Sequence, residues 1–127
     1  MVAKLANLAD GLTYVSETDA PFEHVCFPTI KQMSTANVAK AAGIENANLV
    51  TETDYEKFFR RLTENKDWFG PIEKEQAKRF RKLKELLEKE LSDIKVFRFG
   101  KIRIDILILG KNKEGKVEGL RTFSVET

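Results

Sequence analysis

The chain is poor in the residues that staple small folds and ligate metals. Its 127 residues include one cysteine, Cys26, which excludes an internal disulfide and a cysteine-built zinc site. The one histidine, His24, has no obvious Asp, Glu or Ser constellation around it, and a lone histidine on a strand is more often structural than catalytic. The few prolines and glycines are scattered and never gathered into a linker. With no repeat or low-complexity stretch either, nothing marks a domain boundary, and residues 1–127 read as a single domain. No apolar run approaches a membrane span, and Met1–Asn7 lacks the apolar centre of a signal peptide, so a soluble cytoplasmic protein is expected. Neither sign of charge dominates: a net +2 gives no ground for a direct nucleic-acid partner.

What is present is a globular balance. Hydrophobic residues make up 42% and charged residues 33%, far from the composition of disordered chains, so one core can form without a metal staple. The charge is uneven along the chain. Residues 1–70 hold 7 basic against 10 acidic residues, and residues 71–127 hold 15 against 10. Most of the basic excess falls between Lys74 and Lys89, where it alternates with Glu73, Glu75, Glu85 and Glu88. Interspersed charge of that kind is a solvated helix face with i,i+4 pairs and argues little for nucleic acid.

Local signals divide the chain into elements. A helix over residues 2–10 ends at Asp10-Gly11, and an acidic loop follows as far as Pro21. Phe22 to Phe27 reads as a strand that Pro28 ends, and Cys26 between Val25 and Phe27 reads as a buried small hydrophobe. Ser34 caps a helix that Gly43 stops, and a short strand follows around residues 48–51. Thr53 or Asp54 caps a helix with Phe58, Phe59 and Leu62 on one side. Pro71 opens a long helix to about Leu91, with an apolar stripe of Ile72, Phe80, Leu83, Leu87 and Leu91. Residues 96–99, 102–109 and 116–125 are β-rich and joined by Gly100-Lys101 and the Gly110–Gly115 turn. Three consecutive antiparallel strands, with helices enough for both faces, predict an α+β fold: a three-layer α/β/α sandwich on a mostly antiparallel sheet.

Four residues draw attention as binding groups. Glu17, with Asp19, lies on a short segment braced between Gly11 and Pro21, where a carboxylate held outward can pair bidentately with arginine; equally, Ser16 and Thr18 can cap turns beside solvated acids. Asp67-Trp68 lies between two helices, and Trp68 is either an interface anchor or a lid over the core. Thr127 follows a strand pattern, and its hydroxyl and carboxylate are hard oxygen ligands that suit magnesium, although terminal residues usually fray. Asp105, among Ile and Leu, either marks a site or meets solvent and neighbouring polar groups.

These stretches, taken in order, resemble the nuclease A inhibitor family, small proteins that block a magnesium-dependent, sugar-nonspecific DNA/RNA endonuclease. The resemblance runs through Asp10-Gly11-Leu12, Ser16-Glu17, Pro21-Phe22-Glu23, Phe58-Phe59 with Arg61, and Asp67-Trp68. It continues through Phe80 with Leu83, Val96 with Arg98 and Gly100, Asp105, Gly110, Gly115, Gly119, Thr122 and Val125-Glu126-Thr127. It implies an α/β/α sandwich that docks loops and its C-terminus into the nuclease's active-site cleft, without catalysis or cofactor of its own, as a monomer when free. Glu17 then matches the acid that pairs with an active-site arginine, Asp67 and Trp68 match interface loop residues, and Thr127 matches the threonine that reaches the nuclease's magnesium. The alternative is an interaction or regulatory module of the same fold with a different protein partner and no nuclease inhibition.

Overall fold

The computed structural model describes residues 13–15, 19–44, 50–63, 70–100 and 103–125; the expected helix over residues 2–10 lies outside them. In chain order the elements are β1 (Thr13–Val15), β2 (Asp19–Pro21), β3 (Glu23–Phe27), α1 (Thr35–Ala42), β4 (Val50–Thr53), α2 (Tyr55–Thr63), α3 (Pro71–Glu90), β5 (Ser92–Phe99), β6 (Arg103–Lys111) and β7 (Val117–Val125). Helices beside an antiparallel sheet make the fold α+β. The expected loop between Gly11 and Pro21 is corrected: β1 and β2 pair there as a small antiparallel ribbon, with Val15 opposite Asp19. Three-residue strands carry too little periodicity to register in sequence.

The other five strands form one sheet in the order β3-β7-β6-β5-β4, antiparallel at every pairing. Its centre is the β5-β6-β7 meander read from the sequence, except that β5 begins four residues before the expected start. Asp93 takes a left-handed φ of 52° and the register slips between Ser92 and Lys95, so the alternation breaks where the strand continues. Asn112 closes the β6–β7 turn. Its Oδ1 accepts from the backbone N–H groups of Glu114 at 2.9 Å and Lys116 at 3.0 Å. Gly119 allows the close approach of β6, because a Cβ there would collide with the carbonyl of Ile108.

Alternation along the strands separates two cores. Val96, Ile106, Ile108 and Leu120 pack against Phe58 and Phe59 of α2, Phe80, Leu83 and Leu87 of α3, and Phe22. On the opposite face Phe97, Phe99, Leu107, Leu109 and Val117 pack against Val38 and Ala39 of α1 and against Ile30 and Met33. Each large apolar side chain so buried contributes about 1.5–3 kcal/mol relative to exposure, which is why β6 reads as a nearly unbroken apolar run. The helix ends follow their signals. Ser34 Oγ accepts from Asn37 N–H at 3.2 Å, Gly43 turns left-handed at φ 72°, and Asp54 Oδ1 accepts from Glu56 N–H at 3.1 Å.

Ile72 departs from the expected stripe and is 75% exposed. Ala77, Phe80, Leu83 and Leu87 carry the buried face of α3, whereas residues 71–75 are exposed on every side. The buried face of α3 thus starts at Ala77, and the first turn of the helix is exposed.

Polar ties hold α2 to α3. Arg81 Nη1 donates to the Thr63 carbonyl at 2.9 Å, and Lys84 Nζ donates to Glu56 Oε2 at 3.0 Å while lying 3.4 Å from Glu88 Oε1. The hydrogen bond from Lys84 lowers the Glu56 carboxyl below its ordinary range, and the same bond raises the Lys84 ammonium. The depressed carboxyl contributes above its unfolded pKa, and that contribution is lost as pH falls through the folded value. The raised ammonium contributes below its unfolded pKa and is lost as pH climbs through the folded one. Lys84→Met is therefore expected to move the Glu56 carboxyl up toward the ordinary glutamate range, readable by carboxyl NMR titration; a Glu56 titration unchanged by the substitution contradicts this tie.

Candidate functional site

Glu17, Asp67, Trp68 and Thr127 all lie outside the described residues, so the geometry available is that of the elements flanking them. β1 and β2 flank Glu17, α2 and α3 flank Asp67-Trp68, and β7 precedes Thr127. Topology brings these flanks to one end of the sheet. Val125 lies opposite Arg103, which places the finish of β7 beside the start of β6. Both β1 and β2 contact β7, and Thr122 Oγ1 donates to the Ala20 carbonyl at 3.4 Å, so the ribbon is held against the same half of that strand. α3 leads through Leu91 directly into β5, and β5 runs back until Phe99 pairs with Asp105 near the start of β6. The first turn of α3, with Gly70 and the exposed Ile72, therefore lies toward that same end.

A charged cluster occupies this end on the α1 side. Asp105 Oδ1 lies 3.6 Å from Arg121 Nη2 and 3.8 Å from Arg103 Nε, so one carboxylate oxygen is shared by two guanidiniums. Arg121 also donates from Nη1 to the Ala42 carbonyl at 3.0 Å, filling a vacant acceptor at the end of α1. Arg103 stacks on Phe123, its guanidinium carbon 4.1 Å from the ring centroid. Of the two readings open for Asp105, the structure gives side-chain partners. Sequence showed the odd acid in the strand but not its arginines, which depend on cross-strand register.

His24 has a partner 94 residues away. Its Nε2 lies 2.8 Å from Glu118 Oε2, and Asn112 Nδ2 donates to Glu118 Oε1 at 2.9 Å. Glu118 is 1% exposed, and these two contacts satisfy its buried oxygens. The network joins an outer strand to the β6–β7 turn, which suits a structural histidine. The expected burial of Cys26 is corrected: it is exposed, because β3 has no described neighbour beyond it and Cys26 sits opposite Glu118 near the strand's finish. What desolvation it has, then the Glu118 charge, raises its thiol pKa and lowers its thiolate fraction at neutral pH.

Among the described residues no group of three or more His, Cys, Asp or Glu side chains is placed to hold a metal ion. No described helix is long and apolar enough to cross a membrane. The family model described as nuclease A inhibitor-like protein matches residues 1–127, the whole of this sequence. No curated protein matches the chain.

Proposed function

The chain belongs to the nuclease A inhibitor-like family, and on that premise we propose that it is a proteinaceous inhibitor of a magnesium-dependent, sugar-nonspecific DNA/RNA endonuclease. Family membership over residues 1–127 is the observation that carries the proposal. The protein binds without catalysing and needs no cofactor of its own. It acts as a monomer in the cytoplasm. The three-layer α/β/α arrangement expected from the sequence belongs to the same proposal, supported by separate cores on the two sheet faces.

In this reading Glu17, Asp67, Trp68 and Thr127 form one docking surface. The convergence of their flanking elements at one end of the sheet supports it, since a single cleft can engage only groups presented together. The chemistry is substrate mimicry. A carboxylate at Glu17 replaces phosphate against an arginine, and an oxygen of Thr127 takes a position at the nuclease's magnesium meant for water or phosphate.

The test is hydrolysis of DNA by a magnesium-dependent, sugar-nonspecific nuclease titrated with this protein. Activity is expected to fall to zero at a one-to-one ratio. Deletion of Thr127 is expected to weaken inhibition while leaving the melting temperature unchanged, because it removes the oxygen proposed to reach the magnesium. No inhibition by the protein at excess overturns the proposal and favours an interaction module with another partner.

A further inference from the structure

Two cavities adjoin the charged cluster, of about 320 Å³ and about 280 Å³, and both are walled by Arg103, Asp105 and Arg121. Among the described residues the larger adds Glu23 and Phe123, so its charged lining balances. Among the described residues the smaller adds Gly43, Ile44, Phe99 and Gly100, none of them charged, so that two guanidiniums face one carboxylate there. From this arrangement we propose that the smaller cavity is a binding site for a singly charged carboxylate, held between Arg103 and Arg121.

The donors are in place. Both guanidinium contacts to Asp105 exceed 3.5 Å and fall on the same oxygen, so Asp105 balances charge without forming the short paired bonds of a saturated arginine–carboxylate fork. Each guanidinium carries five N–H donors in a plane. Arg121 spends one on the Ala42 carbonyl, which fixes its orientation, and Arg103 is braced on Phe123. Two oriented forks thus border a space whose other described walls, Asp105 apart, are glycine and apolar residues, the combination that recognises a small ligand by a few polar contacts. With Asp105 the described lining carries one net positive charge, which a single carboxylate neutralises and a dianionic phosphate exceeds. An organic acid and an acidic peptide share the recognised group.

The experiment is an NMR titration of the free protein, following arginine Nε–H and the Gly43 and Gly100 amides, with N-acetylglutamate amide, a tetraglutamate peptide and inorganic phosphate as probes. Expected are saturable shifts at these groups with both carboxylate probes and weaker binding of phosphate. Equal affinity per carboxylate identifies a small-acid site, and tighter peptide binding identifies a peptide site. Arg103→Gln, at a side chain that is 63% exposed, is expected to weaken binding by about fivefold or more, and Asp105→Asn to strengthen it by a similar factor. Shifts that fail to saturate, phosphate binding tighter than carboxylate, or an affinity unmoved by Arg103→Gln each overturn the proposal. No nuclease is present, so the result is independent of the inhibitory reading.

Discussion

Phe59→Ala and Phe97→Ala are each expected to lower the free energy of unfolding by about 3–5 kcal/mol, the cost of removing a fully buried aromatic ring and leaving its cavity. Phe59 is 0% exposed and packs, edge to face with Phe58, in the core under α2 and α3. Phe97 is 1% exposed and belongs to the core under α1, stacked near Phe99. The sheet separates the two rings, so their effects should add, as they do for sites without shared partners. Domains of this kind have about 5–15 kcal/mol in total, so the double variant is expected to be largely unfolded at room temperature. Urea denaturation of the single variants gives the two losses directly, and Ile72→Ala, at an exposed position on α3, serves as a control with almost no loss. A small loss at Phe97 beside a large one at Phe59 contradicts two independently packed faces.

The parts of this fold legible in the sequence are those with a local cause. Ser34, Gly43, Asp54 and Pro71 act within a few residues of themselves, and each sits at the helix end its chemistry requires. The β6 run also declares itself, since burial on both faces selects a nearly unbroken apolar stretch from Ile106 to Leu109. What was not legible depends on partners far along the chain or on broken periodicity. Glu118 reads as an ordinary acid until β3 pairs with β7 and sets His24 against it. Asp93 interrupts the alternation that would extend β5, and Cys26 follows an apolar neighbour into a position the sheet leaves uncovered. Ile72 matches the helix period, yet period says nothing about where along the helix packing begins. The candidate site is a different case. Glu17, Asp67, Trp68 and Thr127 have no spacing that marks them as a unit. Resemblance to a family drew them together, while the structure supplies only the elements that flank them.

On the proposed inhibitory reading, Glu17→Ala is expected to weaken binding to the nuclease by about 2–5 kcal/mol, the usual cost of removing one member of a desolvated charge pair across an interface. Most of that cost is the arginine left buried without its carboxylate, so Glu17→Gln should recover only part of the loss by offering an oxygen without charge. The loss should fall on dissociation. This chain carries a net +2 and its second half is basic, whereas a cleft that binds nucleic acid is itself cationic, so long-range steering toward it is poor with or without Glu17. Association should therefore be slow and should quicken slightly as salt screens the repulsion, while the dissociation rate rises by most of the expected factor. Surface plasmon resonance at two salt concentrations separates these rates. Trp68→Ala on the same instrument tests the neighbouring loop: an anchor loses affinity at constant melting temperature, and a core lid loses melting temperature at constant affinity. If Glu17→Ala slows association and leaves dissociation unchanged, Glu17 acts at long range and does not pair with an arginine inside the cleft.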